Sequence, residues 1–529
     1  MHSRRRLGCF LAVALASLEP AGAQNSTDWM VDGGTSRSER FSPLDQITVS
    51  NVTRLSKAWE ARVGGGEPAL TPLVVDGVMY VQGPGYGIAA FDAASGKARW
   101  RYAYAASPTA GGRGLAFGAG QLYFGTRSGE LVSVDAATGR ERWRHAVRET
   151  EDFDRTTQKA GAIIAPPLFV KGLVITGSNG GDAAYRGHLV AVDARDGTER
   201  WRFNVVPGPG EKGHETWTGD SWRYGGGAPW LTGSYDPDLD LVFWGTGNAS
   251  SDFSGGARQG DNLYTASIVA LRPDTGQLVW HFQTTPHDVW DWDAAYECML
   301  VDLPIDGERR KLLVQPNKNG FVYVLDRTTG QYLSGWKYID NLTWASGLND
   351  RGVPQGRREP TQGTATVICP DYYGARSWNQ AAFSPRTGLL YNHGAERCAE
   401  FLSVPEEPRV GQRFVAGAQK TIPPISGGPI VGHIDAMDPV TGRRVWQYRL
   451  RVPLRAPLLA TQGNLVFAYD TGAAEFLALD AESGRRVWNV PLGSTRSGAM
   501  AYSVDGKQFV AIMSATSEGA VVSAFSLPN

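Results

Sequence analysis

The chain has 529 residues, with 52 Lys and Arg against 53 Asp and Glu, for a formal net charge of -1. That balance leaves no basic field for nucleic acid and no acidic tail. Charged residues at 20% and hydrophobic ones at 42% exclude a disordered chain.

The N-terminus reads as a secretory signal over residues 1–23. Arg4, Arg5 and Arg6 give a basic start, residues 7–18 are an apolar run, and Ala21-Gly22-Ala23 is a small-residue cleavage site before Gln24. The run is too short to cross about 30 Å of hydrocarbon, and no later segment reads as a membrane span. The expected mature chain, 24–529, is a single exported domain, periplasmic in a Gram-negative host. It keeps Cys298, Cys369 and Cys398. Export permits one disulfide and leaves one thiol. There is no CxxC and no CxxCH, so this sequence has no thiolate metal cluster and no attachment site for c-type haem.

A spacing of Asp-x3-Gly-x3-Trp then recurs. It occurs at Asp92-Gly96-Trp100, Asp135-Gly139-Trp143, Asp193-Gly197-Trp201, Asp438-Gly442-Trp446 and Asp480-Gly484-Trp488. Two copies are degenerate. Arg272 precedes Gly276 and Trp280, and Asp326-Gly330 has Ser334 in the Trp position. Each copy sits between strand-like segments, so the Asp-x-x-x-Gly portion predicts a hairpin turn. Neighbouring copies lie about 40 residues apart, the length of a four-stranded propeller blade. The interval from Asp326 to Asp438 has room for two blades, and the strand-like stretch 383–391 is a candidate hidden copy. Seven visible copies and one hidden one predict an all-β, eight-bladed propeller, with the repeated Trp docking blade on blade. Insertions after Trp201 and after Gly330 break the period, and function is expected there.

Four local motifs add chemistry. They are Asp220-Ser221-Trp222 with Gly225-Gly226-Gly227, Trp244-Gly245-Thr246-Gly247-Asn248, the run 285–293 ending Asp291-Trp292-Asp293, and Asn317-Lys318-Asn319-Gly320-Phe321. Together with the Trp-ending repeats they resemble the quinoprotein alcohol dehydrogenases, whose cofactor is pyrroloquinoline quinone (PQQ). The resemblance runs from about Asp28 to about Ser514. It implies oxidation of an alcohol to an aldehyde or ketone. A base takes the hydroxyl proton, hydride passes to a PQQ carbonyl, and a metal ion polarises that carbonyl.

The resemblance also implies roles. Asp291 is the base. Asp182, Asn248, Asp291 and Asp293 hold the metal, with Asp182 standing where the family carries Glu. An acid at Asp293 matches the lanthanide-dependent branch, so the ion is a lanthanide or calcium, and a lanthanide is preferred. Trp230 is the floor under PQQ, and Lys318 meets its quinone oxygens. Arg113 pairs with a PQQ carboxylate, and Gly180 and Gly181 let backbone approach. Cys369 and Cys398 match a family disulfide, leaving Cys298 as a buried thiol. His287 is read as a loop-ordering partner.

Several positions depart from the family. The adjacent cysteines that roof PQQ are missing over 106–112. Ile163 replaces a threonine, Ser377 an asparagine that faces the cofactor, and Leu454 a tryptophan, followed by Arg455. Ala69 replaces a glutamate, with Glu67 two residues earlier. Without CxxCH, electrons must leave to a separate acceptor such as a soluble cytochrome c. The alternative function is a degenerate or non-catalytic propeller scaffold of the outer-membrane assembly type.

Overall fold

The computed structural model describes residues 28–104, 112–147, 161–305 and 307–528. The signal-like segment 1–23 and most of the stretch without roof cysteines, 106–111, lie outside the described residues. Those described are almost all strand and turn, with four short 3-10 turns and no α-helix. They form seven four-stranded sheets, one five-stranded sheet and two smaller ones.

Five of the sheets are simple meanders met in order, within 73–102, 116–146, 168–204, 234–283 and 299–337. The sixth joins Ala382–Ser384, Leu389–Glu396, Val431–Met437 and Arg444–Leu450. The seventh runs over 459–491, with Phe41–Ser42 added in parallel. The last pairs the C-terminal strands with the N-terminal Ser56–Arg62, which lies antiparallel to Gly519–Ser526. The two ends of the chain are thus hydrogen-bonded into one sheet. Neighbouring sheets touch through their first strands where Ala116–Gly118 meets Leu168–Val170, Ser234–Asp236 meets Met299–Ile305, and Ala382–Ser384 meets Leu459–Thr461. The result is an all-β propeller, whose closure leaves few open sheet edges.

The repeat explains the local structure. Asp92 Oδ1 accepts from the Ser95 amide and hydroxyl, at 3.1 and 2.8 Å, and the Gly96 amide closes the turn on the Asp92 carbonyl. Gly96 has φ +72°, where a side chain is strained. The turn glycine also faces the indole of the preceding sheet. A Cβ on Gly139 would come within 2.5 Å of Trp100, and one on Gly197 within 2.6 Å of Trp143. The same indoles donate to the carbonyls of Ala136 and Ala194, at 3.1 and 3.0 Å. Trp59, Trp201, Trp280 and Trp446 make corresponding bonds to the next sheet.

Two expectations change here. The Asp326 copy does have its indole: Trp336, two residues after Ser334, packs on Gly442, while the Ser334 hydroxyl donates to Val440 O at 2.9 Å. The hydrogen bond and the packing, joined in one Trp elsewhere, are split between two residues. The interval 326–438 also hides no separate copy. The stretch 383–391 belongs to the first two strands of the sheet that ends in the Asp438 repeat. The remaining sheet is the one made from both chain ends.

The sixth sheet carries an excursion between its second and third strands. Cys398–Ser403 pairs with Ala365–Ile368 on one side and Gly417–Ile422 on the other. Cys369 and Cys398 form a disulfide beside it, and Cys298 is a buried free thiol.

Candidate active site

The run 288–293 links two neighbouring sheets. Asp288 is buried and caps the amides of Trp290 and Trp292, at 3.0 and 2.8 Å. Both indoles point into an aromatic cluster with Trp344 and Phe401. Asp291 lies between these two buried side chains and lines a cavity, with φ +64°. That left-handed conformation is uncommon for a residue with a side chain, and Asp tolerates it better than most.

The cavity has a volume of about 560 Å3. Arg113, Gly180, Gly181, Asp182, Trp230, Asp291, Asp293 and Lys318 all line it, and these sequence-predicted residues come from widely separated segments. Asn248 is fully buried behind Gly181, where an added Cβ would sit 2.6 Å from the Asn248 Oδ1. Glycine is therefore required at 181 by this close approach. Arg127 and Arg413 also line the cavity and were not singled out in the sequence. Ser377 lies apart, on a neighbouring cavity with Leu454 and Arg455. Ile163 is buried against Gly125, and its neighbour Ile164 lines the main cavity. The His287 Nδ1 lies 2.9 Å from the Gly260 carbonyl, an ordering contact within the loop.

The acids divide into two sets. One atom from each of Asp182, Asp252 and Asp291 lies within 4.8 Å of the others. Asn248 joins this set, because its Nδ2 donates to Asp252 Oδ1 at 2.8 Å. The Asn248 Oδ1 is buried with no hydrogen-bond partner among the described residues. A buried amide oxygen without a donor, beside three carboxylates, is a donor set for a hard cation. Asp252 was missed by sequence reasoning; its only signal is an acid four residues after Asn248.

Asp293 sits differently from the metal-ligand expectation. Its Oδ1 accepts from the Trp230 indole at 2.9 Å and the Asn248 amide at 3.2 Å, and its Oδ2 faces Lys318 Nζ at 2.9 Å. Lys318 Nζ is also 3.2 Å from Asp291 Oδ1. Burial pushes the Asp291 carboxyl well above the usual range; Lys318 opposes this, and Asp182 and Asp293 add to it. Burial likewise raises Asp252, helped by Asp182 and Asp291. Burial works against the charge of Lys318, but Asp291 and Asp293 outweigh it and hold the ammonium protonated.

At the other end of the cavity, the Arg113 guanidinium is stacked between Trp230 and Trp378, 4.6 and 4.7 Å from their ring centres. Burial lowers its pKa to about 10, and its Nη1 has no partner among the described residues. An indole face, an unsatisfied guanidinium and a buried ammonium together suit a flat, anionic ligand.

Residues 29–338 match the family model described as glucose/ethanol/alcohol dehydrogenase, beta-propeller domain. The quinoprotein alcohol dehydrogenase PedH of Pseudomonas putida is 34% identical over 528 residues, covering 93% of this chain and 86% of that protein. The chain belongs to the PQQ-dependent alcohol dehydrogenases. It is thus a quinoprotein oxidoreductase acting on alcohols. Among solved structures, the quinohemoprotein alcohol dehydrogenase ADHIIG of Pseudomonas putida HK5 superposes with a TM-score of 0.87 at 33% identity, over 95% of this chain and 80% of that one. A europium-containing methanol dehydrogenase superposes with a TM-score of 0.88 at 29% identity, over 95% and 99%. Residues 431–526 also match the model of outer membrane protein assembly factor BamB. That match covers only the last sheets of the dehydrogenase and contains none of its acid cluster. No described helix of this quinoprotein is long and apolar enough to cross a membrane.

Proposed function

We propose that this dehydrogenase works in the periplasm as one domain, 24–529, after loss of a signal at 1–23. The seven four-stranded sheets and the five-stranded one are its eight blades, each docked on the next by a tryptophan. Bound PQQ supplies an electrophilic carbonyl that accepts two electrons, and a cation polarises it. Asp182, Asn248 and Asp291 hold that cation, with Asp252 joining them. With positive charge among these acids, Asp291 stays ionised and takes the alcohol proton. Lys318 keeps its charge in a buried place and so provides a fixed positive field where negative charge accumulates. Trp230, Arg113, Gly180 and Gly181 orient the cofactor. The reduced cofactor must pass its electrons to an acceptor, and a soluble cytochrome c is the acceptor proposed.

The reading rests on one observation above others: the donorless Asn248 Oδ1 beside three clustered carboxylates. Asp293 adds a further acid, which favours a 3+ ion over Ca2+ once it turns from Lys318 to the cation. The test is to refill metal-free protein with PQQ and either La3+ or Ca2+, using a dye acceptor. Wild type should be more active with La3+, and Asp293→Ala should lose that preference. Equal activity with both ions, unchanged in Asp293→Ala, removes Asp293 from the metal site. No activity with either ion removes the dehydrogenase reading.

A further inference from the structure

Asp182 and the pair Asn248 and Asp252 come from two segments far apart in the chain. One acid sits on 181–184, and the other sits with the amide on 248–253. An Asp side chain has only two torsions, so its carboxylate goes where the backbone puts it. The spacing of the acids is therefore set by whatever holds these two backbones together.

Three consecutive carbonyls around Asp182 are tied down. Those of Gly181 and Ala183 both accept from the Ser250 hydroxyl, the latter at 2.9 Å. The carbonyl between them, that of Asp182 itself, accepts from the Phe414 amide at 2.8 Å. Ser250 is buried and stands between Asn248 and Asp252 in sequence. One hydroxyl on the segment with the amide and the second acid thus grips the turn that carries the first acid. The segment that supplies Phe414 holds both sides. Residues 411–415 belong to the loop between Cys398–Ser403 and Gly417–Ile422, the last two strands of the excursion. The Gly411 amide donates to Ala184 O and the Ala184 amide to Gln412 O, each at 2.9 Å. At the other end, Val415 O accepts from the amide of Phe253, next to Asp252, at 2.9 Å. The loop is itself anchored, since the Ala416 amide donates to Glu406 Oε2 at 2.6 Å. Three segments thus close a ring of hydrogen bonds around the acids.

We propose that Ser250 and the Phe414 amide are positioning groups for the cation: they fix Asp182 relative to Asn248 and Asp252, and with it the affinity for the ion. The proposal rests on the cation reading above. A ligand already held in place loses little freedom when the ion arrives, which is why groups behind metal ligands carry affinity. Without the Ser250 hydroxyl, two carbonyls lose this donor and the turn that carries Asp182 relaxes.

The experiment measures La3+ affinity on metal-free full chain loaded with PQQ, by competition against Tb3+ luminescence, so that no turnover is needed. Ser250→Ala should weaken La3+ binding about tenfold, the scale of losing a group behind a metal ligand. Ser250→Thr keeps the hydroxyl and should restore most of the affinity. Ser133→Ala controls for stability. It removes another buried hydroxyl, bonded to Gln121 Oε1 at 2.6 Å in the second sheet, and should leave the affinity unchanged. A second pair reads the other side of Asp182, and serves if Ser250→Ala does not fold. Phe414→Pro removes the amide, whereas Phe414→Ala loses the ring and keeps the amide. The proline variant should bind La3+ the more weakly. Wild-type affinity in Ser250→Ala overturns the proposal, as does equal weakening in Ser250→Ala and Ser133→Ala. Equal affinity in the two Phe414 variants overturns the role of the amide. Asn248→Ala tests the reading underneath. If it binds La3+ as tightly as wild type, the ion does not sit in this cluster and the cation site itself fails.

Discussion

Asp291 is set by its neighbours in sequence and tuned by neighbours in space. The flanking indoles are buried, so the carboxylate faces the cavity, and Lys318 lies 3.2 Å from it. Asp291→Asn keeps the size and the turn but removes the proposed proton acceptor. Turnover should fall by about a hundred- to ten-thousandfold, with PQQ still bound to the loaded protein. Near-normal turnover with bound cofactor removes Asp291 as the base. The motif around Asp291 and Lys318 was legible in the sequence because both sit in short contiguous runs. Asp252 was not, because its meaning depends on Asp182 and Asp291, which reach it from other parts of the chain. Asp293 was legible as an acid near the site. Its present partners, Trp230, the Asn248 amide and Lys318, are decided only by how four segments converge.

At the scale of the element, the turn glycine of each repeat answers to two constraints. Gly197 has φ +77°, and its missing Cβ would press on Trp143 at 2.6 Å. Gly120 has φ +71° but open space around it. Gly197→Ala should therefore cost about 1–3 kcal/mol more than Gly120→Ala in urea unfolding, since the backbone strain is shared and the indole clash is not. Equal costs show that the indole is not held there. The excursion from the sixth sheet is the second testable element. Cys369 and Cys398 close a loop of sequence separation 29, so replacing both by Ser should lower stability by about 3 kcal/mol. Reductant should reproduce the loss in wild type and do nothing to the variant. The Asp326 repeat shows where element reading stops. Nothing in the spacing reveals that Trp336 packs and Ser334 bonds, because both depend on the sheet that follows.

At the scale of the whole molecule, a buried charged group ties two sheets together. His433 Nδ1 lies 2.6 Å from Asp435 Oδ2, and its Nε2 lies 3.5 Å from Glu396 Oε1. Glu396 in turn accepts from the amides of Asp340 and Asn341, which follow the fifth sheet. Burial disfavours the imidazolium, but the bonds to Asp435 and Glu396 outweigh it and raise His433 from 6.5 to about 9. The folded pKa is above the unfolded one, so this stabilisation is complete below pH 6.5 and is lost as pH rises through about 9. It amounts to something on the order of 3 kcal/mol. Thermal unfolding of wild type should show Tm falling over that window. His433→Gln should start lower and fall less. Parallel curves for the two proteins rule the residue out as the source.

The sequence by itself determined the repeat, the turn chemistry, the all-β class, the PQQ-dependent family and most of the residues around the main cavity. These depend on contacts within a few residues or on a period that recurs in one dimension. Tertiary structure decided what the period cannot carry. It placed the last sheet across both chain ends, through Ser56–Arg62 on Gly519–Ser526. It brought Asp252 into the acid cluster, moved Ser377 to a separate cavity, and set Arg113 between Trp230 and Trp378. The physical reason is the same in each case. A closed ring of sheets brings the ends of many loops together, and which side chains meet there depends on every sheet at once.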